Sequence, residues 1–297
     1  MSQPRTIRIA TRASAQARTQ SESVARAIEA AHPDLSVELV FVDTTGDQRH
    51  DVPLHTIGGQ GVFVKEVQWA VLDGRADIAA HSAKDLPSSA VDDASVALTI
   101  GAFCERRSSA DALIGSRLTD LAEGATVATG SVRRRAQLVA VRPDLTFVEL
   151  RGNIQTRLTK VPAGGAIVMA VAALEILGLT DLIDDELPVE PFVPAVGQGC
   201  VAVECLADDH ATLQVLAAVD HAGSRHDVQV ERAFLATLGT GCSLPVGAHV
   251  RDGVLSAFLA DPEQGRHVLR RATLPTDVVA ASQAARELAL TMQSELG

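Results

Sequence analysis

The chain has 297 residues, a formal net charge of −11 and only 3% aromatic residues, with no tyrosine. An acidic chain with so few rings offers neither a broad basic face nor a stacking platform, which argues against a nucleic-acid partner. No apolar run approaches the ~20 residues of a membrane span. The four cysteines lack the spacing of a zinc site or a disulfide framework, and the N-terminal segment lacks the apolar core of a signal peptide. We therefore expect a cytoplasmic protein of two or three domains, without a metal site.

Three short segments recur in the same order in the first two-thirds of the chain, which indicates an internal duplication. The paired segments are Ile9–Gln16 with Val127–Arg134, His32–Val40 with Arg142–Leu150, and Gly74–Ala80 with Gly164–Ala170. Each set predicts strand, polar turn, helix, strand, helix and strand. Chance or a generic α/β pattern could also produce such short echoes. We expect two α/β lobes with polar groups at the carboxyl ends of their strands and a ligand between them.

Polar residues follow two predicted strands of the first lobe. The segment His81–Pro87 comes after an apolar strand, at the end where α/β proteins keep their sites. Asp85 is either a carboxylate that exchanges protons beside Lys84 or a capping residue of an ordinary turn. Arg12 and Ser14 occupy the loop after the first strand of the chain, and both a site and a plain surface location fit them.

Two arginine-rich stretches of the second lobe follow predicted strands, at the points where helices should begin. The first, Thr129–Leu138, contains Arg133, Arg134 and Arg135, and the second, Glu149–Leu158, contains Arg151. A helix N-terminus carries about half a positive charge, so cations crowded there are unfavourable unless an anion lies among them. Backbone N–H groups and guanidinium forks can bind such an anion together. The pattern predicts a site for a small polyanionic molecule.

The last third of the chain has a different pattern. Helical spacing around Val228–Leu238 stops at Gly239, and three alternating segments follow. The tail places apolar residues on one helical face, with Thr276 as the predicted N-cap. These features predict a small α+β domain.

The four cysteines fall into different surroundings. Cys200 and Cys205 lie in an apolar run and are predicted to be core residues. Cys242 lies in a loop beside glycines, which leave room for a bulky group near the sulfur. A lone loop cysteine is usually incidental, but near an anion site it becomes a candidate nucleophile or attachment point.

Taken together, these residues resemble the porphobilinogen deaminase (hydroxymethylbilane synthase) family. The segments that carry the resemblance are the two arginine stretches, Arg8–Arg12, Phe63–Glu66, Ala76–Pro87, Pro194–Gly199, Val203–Cys205 and Gly241–Cys242. The resemblance implies two α/β lobes like those of periplasmic binding proteins, at residues 1–101 with 197–219 and at 105–194, and a C-terminal α+β domain at 222–297. It implies a transferase of tetrapyrrole (heme) synthesis that joins four porphobilinogen molecules on a dipyrromethane cofactor, releasing ammonia and then hydroxymethylbilane.

The same resemblance implies a role for each matching residue. Cys242 would bind the dipyrromethane cofactor through a thioether, and Asp85 would be the catalytic acid. The implied contacts to cofactor and substrate carboxylates are Arg12, Ser14, Ser82, Lys84, Thr129, Ser131, Arg133, Arg134, Arg151, Gly152, Asn153 and Arg157. The chain departs from the family pattern, where basic residues or a serine are often found, at Thr45, Thr56, Gln60, Gly130 and Ile176.

Two other functions fit parts of the sequence. A two-lobed receptor for a carboxylate ligand would explain the duplicated core, and a catalytically impaired paralogue would explain the missing basic residues. Cys242 on an appended domain favours the transferase, because a receptor has no need of it. We expect a monomer that takes porphobilinogen as its small-molecule substrate and has neither nucleic acid nor membrane as a partner.

Overall fold

The computed structural model of the protein describes residues 5–43, 64–88, 97–239 and 245–297. Their strands form two five-stranded sheets and one three-stranded sheet. The chain divides into two compact units, Met1–Arg106 with Cys200–Arg225 and Arg107–Gly199 with His226–Gly297. Within the described residues, no helix combines the length and the apolar character that crossing a membrane requires.

The first sheet forms the first lobe. Its strands lie in the order β2 (Leu35–Val42), β1 (Arg5–Arg12), β3 (Ile78–Ser82), β10 (Val201–Leu206) and β4 (Leu98–Phe103). β1 is parallel to β2 and β3, whereas β10 is antiparallel to β3 and β4. Among the described residues, the helices of this lobe are α1 (Ala15–Ala31), α2 (Lys65–Leu72) and α6 (His210–Ala217). The parallel arrangement brings the carboxyl ends of β1 and β3 to one edge of the sheet.

The alternation of side chains along β1 divides the core of this lobe into two layers. Ile7 and Ile9 pack with residues of α1, whereas Ala10, on the opposite face, packs with residues of α2. Ser14 is the N-cap of helix α1, and its Oγ accepts a hydrogen bond from the backbone N–H of Ala17 at 3.3 Å. The chain therefore passes from the end of β1 to the start of α1 in two residues.

The second sheet repeats this plan. Its strands lie in the order β7 (Thr146–Val148), β6 (Thr126–Ala128), β8 (Ala166–Ala170), β5 (Asp111–Ile114) and β9 (Asp185–Leu187). β6 is parallel to β7 and β8, and β5 is antiparallel to β8 and β9. The helices are α3 (Val132–Val141), α4 (Ile154–Leu158) and α5 (Val171–Glu175). The three recurring sequence segments contribute to equivalent parallel strands of the two lobes, as a duplication predicts.

The third sheet belongs to the C-terminal domain. It is antiparallel, with β11 (Val246–Arg251), β12 (Val254–Asp261) and β13 (Arg266–Thr273) in sequence order. Helices α7 (Ala222–Thr237) and α8 (Val278–Leu296) contribute apolar residues to its core. The predicted N-cap of α8, Thr276, is wrong: Asp277 caps this helix, because its carboxylate accepts hydrogen bonds from the backbone N–H groups of Val279 and Ala280.

The three sheets confirm the predicted fold class of two α/β lobes with a smaller C-terminal α+β domain. The first compact unit contains the first lobe, and the second unit contains the second lobe together with the C-terminal domain. The domain boundaries expected from the resemblance, 1–101 with 197–219, 105–194 and 222–297, stay a prediction.

Gly199 occupies a backbone position that other residues fit poorly. Its φ is +87°, and an added Cβ would lie 2.6 Å from the carbonyl oxygen of Arg107 and 2.7 Å from that of Ser108. A left-handed conformation costs an L-residue about 1–2 kcal/mol, and overpacking against fixed groups costs about 1–3 kcal/mol more. We predict that Gly199→Ala lowers the free energy of unfolding by about 2–5 kcal/mol in urea denaturation.

The control is Gly164→Ala. Gly164 has a φ of +68°, but no atom lies within 4 Å of its added Cβ. This variant should lose only about 1–2 kcal/mol. Equal losses in the two variants would contradict the close approach of the Arg107 and Ser108 carbonyls to Gly199.

Candidate active site

An open pocket lies in the first lobe where β1 and β3 end and α1 begins. Four predicted site residues line it: Arg12, Ser14, Ser82 and Asp85. Asp85 is exposed at the end of the 3-10 turn Ala83–Asp85 that follows β3. Lys84 lies on the same turn and is half-buried. The strand ends therefore bring the predicted acid and an arginine into one pocket.

The pocket also contains residues that the sequence analysis missed. Gln16 and Gln20, one turn apart on α1, line it. The Nε2 of Gln20 donates a hydrogen bond to Ser82 Oγ at 3.0 Å. A polar pair at helical spacing directly after the Ser14 cap was the available signal. These amides place neutral donors and acceptors beside Asp85.

A buried polar group lies beneath the same pocket. His81 lines the pocket with its buried side chain. Its Nε2 lies 3.1 Å from Glu204 Oε2, but the angle between the groups is not that of a hydrogen bond. The Nε2 of Gln68 donates to that oxygen at 2.9 Å. His81 and Glu204 lie on the neighbouring strands β3 and β10. The end of β3 is therefore supported by polar side chains from α2 and β10.

In the second lobe, the arginines at the start of α3 share a carboxylate. The Nη2 of Arg133 lies 2.8 Å from Asp111 Oδ2, and the Nη2 of Arg134 lies 2.6 Å from Asp111 Oδ1. Arg133 also donates to the carbonyl oxygen of Val193 at 2.7 Å. Asp111 and Arg133 are buried, and the Arg134 side chain is only 10% exposed. The anion that the sequence analysis expected among these arginines is supplied in part by the chain itself.

The charges of this cluster do not cancel. Burial by itself raises the pKa of the Asp111 carboxyl, but the two guanidinium groups outweigh it and hold the pKa well below its ordinary value. Burial also lowers the pKa of Arg133, against the effect of Asp111. Among the described residues, Asp111 is the only carboxylate in an ion pair with either arginine. One net positive charge therefore remains at the start of α3, where the helix dipole adds to it, and an anionic group would offset its desolvation cost.

The turn before α3 packs closely against the second arginine stretch. Ser131 caps α3, accepting a hydrogen bond from a backbone N–H of its first turn at 3.4 Å. The buried Thr129 accepts from the backbone N–H of Ser131 through its Oγ1 at 3.2 Å. A Cβ at Gly130 would lie 2.9 Å from the carbonyl oxygen of Leu150. The serine that the family often has at this position would therefore need a shift of the chain here.

The second arginine stretch forms a tight turn and a short helix. Asn153 caps α4, because its Oδ1 accepts from the backbone N–H of Thr156 at 2.9 Å. Gly152 has a φ of +109°, and its carbonyl oxygen accepts from Arg157 Nε at 2.8 Å. Arg151 is half-buried, with its Nε 3.8 Å from a carboxylate oxygen of Glu149. Gly152 and Asn153 thus have local roles in shaping the turn that carries Arg151 and Arg157.

Three of the four cysteines lie among the described residues. Cys200 and Cys205 are buried, which confirms their prediction as core residues. Burial raises the pKa of the Cys104 and Cys205 thiols to about 11, so little thiolate forms at neutral pH. Cys242 lies outside the described residues, as do Thr45, Thr56 and Gln60.

Comparison with known proteins gives a consistent result. The family model described as porphobilinogen deaminase, dipyromethane cofactor binding domain, matches residues 7–214, and the model of the porphobilinogen deaminase C-terminal domain matches residues 226–294. The porphobilinogen deaminase of Nitratidesulfovibrio vulgaris is 42% identical over 298 residues, which cover 97% of this chain and 92% of the relative. That of Roseiflexus sp. is 46% identical over 248 residues, or 82% and 80% of the two chains. Among solved structures, the methionine-binding protein MetQ has a TM-score of 0.47 and 13% identity, covering 75% of this chain and 93% of its own.

Removing the shared carboxylate should destabilise the second lobe. Asp111→Asn would leave two buried guanidinium groups without their counter-charge, and breaking a buried ion pair costs about 3–5 kcal/mol. We predict a fall of this size in the free energy of unfolding at pH 7. The control is Glu22→Gln, which breaks the exposed 2.7 Å pair with Arg18 and should cost less than about 1 kcal/mol.

The difference in the free energy of unfolding between wild type and Asp111→Asn should also depend on pH. Because the folded-state pKa of Asp111 is held below the ordinary value of 3.8, its contribution is fully present above that value and is lost as the pH falls below it. Urea denaturation at pH 7 and at pH 3 measures this. A difference in unfolding free energy that is the same or larger at pH 3 than at pH 7 would contradict the ion pair.

Proposed function

Since the chain belongs to the porphobilinogen deaminase family, we propose that it joins four porphobilinogen molecules head to tail, releasing ammonia at each addition and hydroxymethylbilane at the end. It is then a transferase of tetrapyrrole synthesis. The observation that carries this function is that Asp85 and Arg12 line one pocket in a chain that matches the family over nearly its whole length. The receptor and the impaired paralogue are not favoured, because the relatives that match most of the chain are named as the enzyme.

The residues present suit a dipyrromethane cofactor. When bound, this group supplies the pyrrole to which the first substrate is joined, and its acetate and propionate groups make it a polyanion. The cluster of Arg133, Arg134 and Asp111 at the start of α3 has a net positive charge, which suits such a ligand. The proposed carboxylate contacts stay those of the family pattern: Arg12, Ser14, Ser82, Lys84, Thr129, Ser131, Arg133, Arg134, Arg151, Gly152, Asn153 and Arg157.

Asp85 is the proposed proton-transfer residue. Its exposed carboxyl group lies on the pocket wall, where it can donate a proton as ammonia leaves the aminomethyl group of porphobilinogen. As a carboxylate it then stabilises the cation that remains and accepts the proton lost after the C–C bond forms. Arg12 in the same pocket can bind a substrate acid group in bidentate fashion and so orient the reacting carbon.

Cys242 is the proposed attachment point of the cofactor. A thioether requires a thiolate nucleophile. The raised pKa of Cys104 and Cys205 and the burial of Cys200 make the other thiols poor candidates.

We also propose that the protein is a cytoplasmic monomer whose small-molecule substrate is porphobilinogen. The free thiols of Cys104 and Cys205 suit a reducing compartment. The net charge of −11 disfavours nucleic acid and anionic membrane surfaces as partners. Size-exclusion chromatography with light scattering tests the monomer: a dimer mass at micromolar concentration would contradict it.

The attachment point can be tested by mass. Cys242→Ser removes the only thiol proposed to hold the cofactor, so we predict that intact-mass spectrometry finds no adduct of two linked pyrroles and that turnover is lost. Cys200→Ala is the control and should keep the adduct, because this thiol is buried in the first lobe. An adduct retained by Cys242→Ser would show that another residue is the attachment point.

The catalytic acid can be tested by turnover. Asp85→Asn keeps the shape of the side chain but removes proton exchange and the negative charge. We predict a folded protein whose turnover falls at least ~100-fold, the lower end for a lost general acid–base group. Asp34→Asn is the matched control, an exposed aspartate of the same lobe that lies in a surface turn. If Asp85→Asn turns over porphobilinogen as fast as Asp34→Asn, another group transfers the proton.

A further inference from the structure

A closed ring of polar contacts joins the C-terminal domain to the second lobe within the second compact unit. The Nε2 of Gln198 donates to the carbonyl oxygen of Ser109 at 2.7 Å, and Ser109 Oγ lies 3.1 Å from His249 Nε2. The Nδ1 of His249 lies 3.2 Å from Glu231 Oε1, and Glu231 Oε2 accepts from the backbone N–H of Gly197 at 2.8 Å. Since Gly197 precedes Gln198 in the chain, the ring closes.

Three side chains of the ring are buried, Ser109 is half-buried, and the contacts are directional. Gln198 is 1% exposed, Glu231 is fully buried and His249 is 5% exposed. Glu231 Oε1 also accepts from the backbone N–H of Val250 at 2.9 Å. In a low-dielectric interior such hydrogen bonds are strong, and losing one leaves a costly unpaired group. Glu231 lies on α7 and His249 on β11, the two elements between which Cys242 falls in the sequence.

Gln198 also belongs to the arginine cluster. Its Nε2 lies 2.9 Å from Asp111 Oδ1, the oxygen that also accepts from Arg134 Nε and Nη2. A carboxylate that accepts several donors at one oxygen has little freedom to rotate. The amide is neutral, so it orients Asp111 without cancelling the positive charge of the arginines. Gln198 is therefore the residue shared by the ring and the cluster.

We propose that Gln198 is a positioning residue for the carboxylates of the bound pyrroles. It orients Asp111, and through Asp111 the guanidinium of Arg134, and it ties this cluster to the Glu231–His249 pair of the C-terminal domain. The inference rests on the proposed function, which supplies the pyrrole carboxylates. A residue that merely stabilises the fold would act independently of Arg134, whereas a positioning residue acts through it.

A double-mutant cycle separates these roles. KM and kcat for porphobilinogen and the melting temperature are measured for wild type, Gln198→Met, Arg134→Lys and the double variant. Gln198→Met keeps the side-chain length and removes the amide, so we expect KM to rise about ten-fold, with a smaller change in kcat. In the Arg134→Lys background the same substitution should change KM less than about two-fold, because the group that Gln198 positions is already lost. An equal rise in both backgrounds would overturn the inference.

Gln68→Met is the control, since it removes another buried side-chain amide, in the first lobe. Any effect of this change on KM should be the same in both backgrounds. If Gln198→Met does not fold, Ser109→Ala takes its place, because it removes only the hydroxyl that contacts His249. It should give a smaller rise in KM that also depends on Arg134, and an effect independent of Arg134 overturns the inference.

The wild type separates this inference from the proposed function. If it neither consumes porphobilinogen nor carries the two-pyrrole adduct, the proposed function fails and the inference fails with it. An active wild type in which the Gln198 and Arg134 changes combine independently overturns the inference alone.

Discussion

The sharing of one buried carboxylate by two arginines determines much of what the second lobe can do. Asp111 accepts hydrogen bonds from Arg133 and Arg134 together, so the pair is held in place but only half neutralised. Two carboxylates would cancel the charge, and the loss of the only one would cost about 3–5 kcal/mol of stability. A ratio of one anion to two cations gives a folded protein that still attracts a further anion. The hydrogen bonds of Gln198 and Val193 to this cluster hold that arrangement.

The duplicated fold explains why such groups lie where they do. In each lobe a polar turn joins a central parallel strand to a helix, which places Ser14 at the start of α1 and Ser131 at the start of α3 as caps. The first lobe adds an exposed acid, Asp85, after β3. The second lobe adds the arginine pair. The same framework therefore carries the proposed proton-transfer residue in one lobe and a concentrated positive charge in the other.

The features of the fold that depend on local pattern could be predicted from the sequence. The predicted strands follow from side-chain alternation, the two lobes from the three recurring segments, and the burial of Cys200 and Cys205 from the apolar run around them. The structure confirms all three predictions. The role of Asp111 could not be predicted, because a single aspartate at the start of an apolar strand shows no link to arginines more than twenty positions later. The Gln198 ring could not be predicted for the same reason, since the members of the ring are far apart in sequence. At α8 the predicted cap was Thr276, although its neighbour Asp277, the residue that caps the helix, is the stronger N-cap type.

The central claim is that this chain holds a polyanionic pyrrole cofactor covalently and extends it. Intact-mass spectrometry of the purified wild-type protein, before and after a limiting amount of porphobilinogen, tests this claim most directly. The account predicts a mass above that of the polypeptide by two linked pyrroles, and further species at one-pyrrole intervals once substrate is added. A protein with the bare polypeptide mass in both samples, and no consumption of porphobilinogen, would contradict it.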